Sequence, residues 1–294
     1  MGREICSRLE ELEANVIPVI LKGYPDSPKR VEWNSSANPI KIFLKEDLKK
    51  LEAPDFVVNF HWQVDRSRSF TDQIVFEINS NISDHSFFWE WLTTVQPTKF
   101  INISTIRIFS ELNQNPISSF TDPKPLTPYG IAKVLAEKYF NAFFHLTKTK
   151  TIHLRLGTVS SFGEVPTQLL SQLFNSVFHK KKITINKGHI SNILHIDEVV
   201  DLIINTALLG ENETYIIVGK GYLNEHISQK FEKISNAKLN AELVDLQPNV
   251  VDPIFISDID KLKSSWTRSY SIDSLIDMII KSNLDNSSRL EIEI

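Results

Sequence analysis

Short apolar runs alternate with amphipathic stretches along most of the chain. Apolar runs typical of buried strands occupy 16–21, 55–60, 99–103, 151–156 and 214–218. Apolar residues recur at helical spacing in the intervening stretches 87–95, 128–144 and 197–209. Strands that alternate with helices usually form a parallel sheet that is covered by helices on both faces. The pattern therefore predicts an α/β fold with a doubly wound parallel sheet.

The start of the chain departs from this order. A doubly wound sheet normally begins with a strand, but Ile5, Leu9 and Leu12 recur at helical spacing among charged residues before any apolar run. After Gly157 the alternation becomes less regular, although a helical pattern returns at 168–178. These features predict a sheet that lacks its first strand, followed by a smaller C-terminal lobe.

Composition and charge exclude several classes of protein. The net charge of −4 over 294 residues gives no electrostatic reason to expect nucleic acid or an anionic membrane as a partner. Cys6 is the single cysteine, so no disulfide can form within the chain, which fits a reducing compartment. The sequence shows no signal peptide, no apolar run that could cross a bilayer and no metal-ligand spacing. We therefore expect a cytoplasmic protein without a bound metal.

The strongest chemical signal is the segment Pro-Leu-Thr-Pro-Tyr-Gly-Ile-Ala-Lys at 125–133. Tyr129 and Lys133 are four residues apart at the start of a predicted helix, so their side chains share one face. A free tyrosine has a pKa of about 10, and a nearby ammonium group lowers that pKa by favouring the phenolate. Such a pair can move a proton at neutral pH. A Tyr-x-x-x-Lys match alone is equally compatible with an ordinary amphipathic helix.

The residues upstream strengthen the catalytic interpretation. The predicted strand at 99–103 runs directly into Ser104 and Thr105. A hydroxyl at the end of such a strand can hydrogen-bond a substrate oxygen while a tyrosine protonates it. The alternative is that the Ser-Thr pair only caps the strand. The strand, the hydroxyl and the Tyr-Lys pair occur together in order, and this combination favours an active site.

Together these motifs resemble the extended short-chain dehydrogenase/reductase family, which contains NAD-dependent epimerases, dehydratases and reductases of nucleotide sugars. The serine or threonine of that family precedes an aromatic residue by four positions, which makes Thr105 the match, with Phe109 in the usual tyrosine position. Tyr129 and Lys133 match the catalytic pair. The resemblance implies NAD or NADP as cofactor, a nucleotide-sugar substrate, and epimerisation, dehydration or keto reduction of the sugar. It also implies a role in polysaccharide biosynthesis and allows a homodimer.

Other segments extend the resemblance over nearly the whole chain. Gly2 aligns with the third glycine of the family's cofactor motif, and Asn79 aligns with the asparagine that orders the central helix. The resemblance makes both, with Tyr129 and Lys133, candidate cofactor-binding residues. The segment 192–200 resembles the return of the chain into the nucleotide-binding domain. The implied division is a nucleotide-binding domain at 1–158 and 194–218, a substrate lobe at 159–193 and 219–285, and a tail at 286–294.

The sequence departs from the family at its first residues. The first strand and the first two glycines of the Gly-x-x-Gly-x-x-Gly turn, which let the backbone approach a pyrophosphate, have no counterpart before Gly2. Three explanations are open: Met1 is an internal methionine of a longer protein, the chain is a remnant that has lost its cofactor, or another segment or subunit supplies the strand. The first predicts an in-frame strand and glycine turn upstream in the gene. As given, the chain is expected to bind NAD(P) weakly or not at all.

Further departures keep a second function open. The bulky residues His61 and Trp62 follow the strand at 55–60, where small residues usually pack against the cofactor, so either the loop turns outward or the rings fill that space. Ser191 stands where an arginine often binds the diphosphate, and Lys22-Gly23-Tyr24 offers no clear acidic residue to select between NAD and NADP. The leading prediction is an enzyme. The alternative is a catalytically silent member that binds a sugar nucleotide or a protein.

Overall fold

The computed structural model describes residues 2–21, 40–160, 169–211, 213–245 and 253–290. Its α-helices are α1 (Gly2–Glu11), α2 (Phe70–Asn81), α3 (Ser86–Val95), α4 (Pro128–Phe144), α5 (Leu169–Phe178), α6 (Ile196–Leu209), α7 (Asn224–Ser235), α8 (Ile259–Leu262) and α9 (Ile272–Leu290). Its β-strands are β1 (Val19–Leu21), β2 (Ile40–Ile42), β3 (Phe56–Asn59), β4 (Lys99–Thr105), β5 (Lys150–Leu156), β6 (Thr158–Ser160), β7 (Ile183–Lys187), β8 (Ile190–His195), β9 (Thr214–Ile217), β10 (Gly221–Leu223) and β11 (Ala241–Asp245).

A four-stranded sheet in the order β3-β4-β5-β9 lies in the first of two compact units. The described residues of this unit fall within Met1–Leu156, Val200–Ile217 and Pro253–Ser265. Every strand pair in the sheet is parallel. Nearly all residues of the two central strands, β4 and β5, are buried, which explains why both appear in the sequence as near-continuous apolar runs.

Strands β1 and β2 form a separate two-stranded parallel sheet. Among the described residues, β3 is hydrogen-bonded to β4 alone, and neither β1 nor β2 joins the four-stranded sheet. A complete doubly wound sheet would continue across this place through one further strand. The described strands therefore agree with the prediction of a doubly wound fold that lacks its first strand.

Aromatic packing fixes α4 against one face of the four-stranded sheet. The Phe100 ring of β4 lies 4.8 Å from the Phe140 ring and 4.9 Å from the Phe144 ring of α4, measured between centroids. Trp89 of α3 packs edge-on against Phe140 at 5.1 Å. None of these four side chains is more than 2% exposed. Burial of this much apolar area stabilises the position of α4, the helix that carries the predicted Tyr-Lys pair.

A buried ion pair holds α4 from the sheet side. Arg155 of β5 donates to both carboxylate oxygens of Glu137, from Nη2 at 2.8 Å and from Nε at 3.2 Å. Ser104 of β4 donates to the same carboxylate at 2.5 Å, and Nη1 of Arg155 donates to the Ser119 carbonyl. Burial by itself raises the pKa of Glu137, but the hydrogen bonds and charge of Arg155 hold that pKa below its ordinary value. The bidentate geometry makes Glu137 a charged anchor for α4.

The second compact unit has its own core. Its described residues fall within Gly157–Val199, Val218–Asp252 and Trp266–Ile294. It contains two small sheets, with strand orders β10-β8-β6 and β11-β7. Residues from α5, α7 and α9 meet in one apolar cluster, whose fully buried members are Leu173, Ile227, Phe231 and Ile276. A separate hydrophobic cluster of this size is what a smaller C-terminal lobe requires.

The predicted α/β fold class is confirmed, while the structure adds details that the sequence did not supply. Strand β2 was not predicted, and β1 is shorter than the run at 16–21. The domain boundaries stay a prediction. Segment 253–265, which was predicted for the smaller lobe, groups with the first unit. There Asp258 accepts a hydrogen bond from the Ile216 backbone N–H. The predicted tail at 286–294 begins within α9. The described helices include none with the length and hydropathy of a membrane span.

Replacing Arg155 with methionine should destabilise the protein by about 3–5 kcal/mol, because the buried Glu137 carboxylate would lose its charged partner. Equilibrium urea unfolding followed by circular dichroism measures the change. Lys150→Met is a matched control on the same strand, since Lys150 pairs with the exposed Glu211 and should contribute little. Equal losses of stability in the two variants would contradict the role given to the buried pair.

Candidate active site

The start of α4 lies directly against the turn that follows β4. The Thr127 hydroxyl caps the helix by accepting a hydrogen bond from the Gly130 N–H at 3.1 Å, and Pro128 fits the first turn, where a backbone donor is not needed. A Cβ on Gly130 would collide with the Arg107 carbonyl. Glycine at this position therefore lets the helix start approach the end of β4 closely enough to bring their side chains together.

Thr105 and Tyr129 meet at this junction. Thr105 is the last residue of β4 and is 8% exposed, and its Oγ1 accepts a hydrogen bond from the Arg107 N–H at 3.2 Å. Burial raises the pKa of Tyr129, and the Glu77 carboxylate adds to this rise. The nearby Thr105 side chain opposes it. The Tyr129 hydroxyl is therefore protonated at neutral pH.

Lys133 lies one helical turn beyond Tyr129 and is 4% exposed. Its Nζ donates to the Ile103 carbonyl of β4 at 2.9 Å and lies 5.9 Å from the centroid of the Tyr129 ring. Burial lowers the pKa of Lys133 to about 7, although the carboxylates of Glu137 and Glu77 favour the charged form. The prediction that Lys133 lowers the pKa of Tyr129 is wrong for this arrangement, because the ammonium is bonded to a backbone carbonyl and burial dominates at Tyr129.

An indole ring covers the Lys133 ammonium. The centroid of the Trp62 ring lies 3.8 Å from Nζ, which is a cation–π contact. At its edge the indole Nε1 donates to Oε2 of Glu77 at 2.9 Å, while Gln73 donates to Oε1 of the same carboxylate at 2.7 Å. Glu77 is 0% exposed. Lys133, Glu77 and the partly buried Trp62 thus form the Trp62 cluster, in which the indole contacts two opposite charges.

Asparagine side chains on both flanks fix the backbone around Trp62. The His61 N–H donates to Oδ1 of Asn59 at 3.1 Å. The Gln63 N–H donates to Oδ1 of Asn81 at 2.5 Å, and Nδ2 of Asn81 donates back to the Gln63 carbonyl at 2.9 Å. Both asparagines are buried. The loop after β3 therefore directs Trp62 inward, and of the two interpretations left open by the sequence, the outward turn does not occur.

The structure buries Asn81, whereas the resemblance singled out Asn79. The Asn79 side chain is exposed on α2, whereas Asn81, two residues later, is 1% exposed and holds the loop after β3. Sequence reasoning missed both Asn81 and Glu77. Asn81 is the last residue of α2. Nothing in the sequence indicated that Glu77 is buried, because one acidic residue within a helix usually faces solvent.

The other residues considered in the sequence make different contacts. Gly2 begins α1. His61 Nε2 lies 3.3 Å from the Ser80 carbonyl, and burial lowers the pKa of His61 to about 4. The described residues contain no cluster of His, Cys or carboxylate side chains that could hold a metal ion. The structure brings Thr105, Tyr129 and Lys133 together, as predicted.

Comparison with protein families gives one match that spans most of the chain. The family model described as "NAD dependent epimerase/dehydratase family" matches residues 1–217. A search of curated proteins found no match.

Solved structures with the same fold cover nearly the whole chain. UDP-glucose 4-epimerase from Thermotoga maritima, solved with UDP-glucose, is 18% identical with a TM-score of 0.79, over 97% of this chain and 96% of that chain. An NAD-dependent NDP-hexosamine 5,6-dehydratase of tunicamycin biosynthesis is 16% identical with a TM-score of 0.75, over 96% and 93%. RMD from Pseudomonas aeruginosa, complexed with NADPH, is 13% identical with a TM-score of 0.71, over 92% and 100%. At these identities the likeness establishes the fold.

The lowered pKa of Lys133 should make stability depend on pH. Between pH 7 and the ordinary lysine value of 10.5 the unfolded chain keeps a proton that the folded chain has lost, so the free energy of unfolding rises with pH in this window. Below about pH 7 the cost of burying the charge is fully present. We expect the stability of the wild type, relative to Lys133→Met, to rise from pH 7 to pH 10.

Urea unfolding of both proteins across this range measures the effect. The difference between the two proteins isolates Lys133, because their other titrating groups are shared. A difference that stays constant from pH 7 to pH 10 would show that the folded-state pKa of Lys133 is unshifted.

Proposed function

Because the chain belongs to the NAD dependent epimerase/dehydratase family, we propose that it is an NAD(P)-dependent enzyme that modifies a nucleotide-linked sugar. The proposed reaction is an epimerisation, a dehydration or a keto reduction. Each of these needs a group that moves a proton while a hydride moves to or from a sugar carbon. Tyr129 is the proposed acid/base, Thr105 orients the reacting oxygen, and Lys133 holds the nicotinamide ribose.

The main support is the position of Thr105 and Tyr129 at the carboxyl end of β4, where the Thr105 side chain is close enough to influence the pKa of the tyrosine. Ligands of parallel α/β sheets bind outside the carboxyl ends of the strands, so these hydroxyls lie at the edge where chemistry is expected. An oxygen atom within hydrogen-bond distance of both hydroxyls could accept a proton from one and a hydrogen bond from the other. An ordinary amphipathic helix would not need Gly130, which lets the start of α4 approach the end of β4 and brings these two side chains together.

The residue types at the site fit a nicotinamide dinucleotide. Lys133 offers an ammonium that can donate to ribose hydroxyls, and Tyr129 offers a hydroxyl one helical turn away. The bound dinucleotide would supply hydride transfer. The one side chain that opposes this fit is Trp62, whose ring lies over the same ammonium.

At neutral pH Tyr129 carries its proton, which fits the role of acid rather than base, although the raised pKa makes it a weaker acid than a free tyrosine. A protonated phenol is an acid, so Tyr129 is ready to protonate the oxygen of a keto sugar while Thr105 donates a hydrogen bond to that oxygen. To act as a base, Tyr129 must first be in its phenolate form. A charged Lys133 closer to the Tyr129 oxygen would favour that form. For Tyr129 to act as a base, Lys133 must therefore leave the Ile103 carbonyl and the Trp62 ring and move towards the Tyr129 oxygen.

The substrate class is proposed from the relatives, since the structure of one contains UDP-glucose and the name of another specifies an NDP-hexosamine. The second unit is the proposed substrate lobe. Its Ser191 donates to Oδ1 of Asn224 at 2.7 Å, so groups other than an arginine at this position would bind the diphosphate. NAD and NADP are both candidates, because Lys22-Gly23-Tyr24 offers no clear acidic residue; this segment lies outside the described residues. We also propose a cytoplasmic location, a homodimer and a role in polysaccharide biosynthesis.

The Trp62 cluster favours a second candidate function. If the indole stays permanently over Lys133, the ammonium cannot serve a ribose, and the chain is a catalytically silent member that binds a sugar nucleotide or a protein. The absorbance or fluorescence of a nicotinamide cofactor on the purified protein discriminates between the two functions.

Tyr129→Phe should reduce turnover of a nucleotide-sugar substrate by about 10²–10⁴-fold, because the ring's packing stays and the proton donor is lost. Thr105→Val should lower kcat and leave dinucleotide affinity unchanged, since its hydroxyl serves the reacting oxygen. Steady-state kinetics with a panel of UDP-linked hexoses, together with calorimetric dinucleotide binding, measures both effects.

Tyr139→Phe is the matched control for Tyr129→Phe. Tyr139 lies on the same helix, but its ring stacks on Phe143 at 5.3 Å, so loss of its hydroxyl should leave turnover unchanged. Near-full activity of Tyr129→Phe on a verified substrate would contradict the catalytic assignment and favour the binding function.

A further inference from the structure

Residues of the chain itself already satisfy the Lys133 ammonium. Its Nζ donates to the Ile103 carbonyl at 2.9 Å, and the face of the Trp62 indole lies 3.8 Å away. The Glu77 carboxylate, which accepts a hydrogen bond from the indole N–H, adds a favourable charge. A buried lysine otherwise needs a charged or polar ligand to compensate its lost hydration. Here the Trp62 cluster provides that compensation from within the fold.

The indole occupies a defined position in this cluster. Its Nε1 is hydrogen-bonded to a carboxylate that Gln73 also holds, and the backbone on both sides of Trp62 is fixed by Asn59 and Asn81. The backbone contacts do not depend on where the indole points. A rotation of the Trp62 side chain away from Lys133 would therefore leave these backbone contacts intact.

A ribose hydroxyl and the indole compete for the same ammonium. A hydroxyl that accepts a hydrogen bond from Nζ must lie about 2.7–3.2 Å from it, and the ring centroid at 3.8 Å covers that side of the amine. We propose that Trp62 is a gate: its indole covers Lys133 in the resting protein, and a nicotinamide dinucleotide engages Lys133 only after the indole rotates away. The gate rests on the proposed function, because it requires a dinucleotide that uses Lys133.

Opening the gate has a cost that lowers the affinity for dinucleotide. Rotation breaks the hydrogen bond to the buried Glu77 carboxylate and the cation–π contact with Lys133. Contacts of these two kinds together correspond to roughly a 10- to 100-fold change in an equilibrium constant. Removing the indole should therefore tighten dinucleotide binding by a factor in that range, opposite to the usual effect of deleting a large side chain from a binding site.

Calorimetric titration of the full chain with NAD⁺ and NADP⁺ tests the gate. We expect affinity to rise in the order wild type, Trp62→Phe, Trp62→Ala. The phenylalanine variant keeps a ring over Lys133 but loses the donor to Glu77, so its effect should be intermediate, and it guards against misfolding of the alanine variant. Trp91→Phe is the matched control, because Trp91 packs against Phe88 outside the cluster and should bind as the wild type does.

Amine labelling of Lys133, followed by mass spectrometry, provides a second readout that needs no catalysis. Lys133 should react slowly in the wild type and faster in Trp62→Ala, and dinucleotide should protect it in the variant. Unchanged labelling, or equal dinucleotide affinity in wild type and Trp62→Ala, overturns the gate while leaving the proposed function standing. Faster labelling without dinucleotide binding in any folded variant overturns the proposed function, and the gate with it.

Discussion

Burial of one lysine ammonium constrains the structure around the candidate site. A buried amine loses its charge or finds compensation, and Lys133 does both in part: its pKa falls to about 7, and a carbonyl, an indole and a carboxylate surround it. This requirement links β4, α4, α2 and the loop after β3 into one arrangement. The same requirement relates the site to function, since any ligand that uses the amine must replace one of these partners.

The position of α4 makes this burial possible. Phe140 and Phe144 of the helix pack against Phe100 of β4, and the Glu137–Arg155 pair fixes the helix to the same sheet. At its first turn, Gly130 permits the close approach that brings Tyr129 to Thr105. Apolar packing therefore supplies most of the stabilisation, whereas the ion pair and the glycine determine where the reactive side chains lie. Stability and catalytic geometry depend on the same helix.

Periodicity predicted the parts of the fold that local sequence determines. The apolar runs of β4 and β5 and the helical stripe of α4 are visible in the sequence, and so is the spacing that places Tyr129 and Lys133 on one face. The resemblance also pointed to Thr105. Pairing of the short strand β2 with β1 was missed, because three residues carry too little pattern to predict a strand.

What the sequence could not supply depends on contacts between distant segments. Whether Trp62 turns inward is decided by Glu77, and the loop that carries it is held by Asn81 rather than by the exposed Asn79. The direction of the Tyr129 pKa shift likewise depends on burial and on where the Lys133 amine points, neither of which follows from their spacing. Polar contacts of this kind have no periodic signature, so only the fold reveals them.

The most direct measurement is an NMR titration of the Lys133 amine in the resting protein, followed through its side-chain signals with Lys133→Met for assignment. We predict a midpoint near pH 7 that changes when Trp62 is replaced by alanine, because the indole is one of the three groups around the ammonium. A midpoint near the ordinary lysine value of 10.5, unaffected by that substitution, would show that the amine is solvated, and would contradict both its burial and its coverage by Trp62.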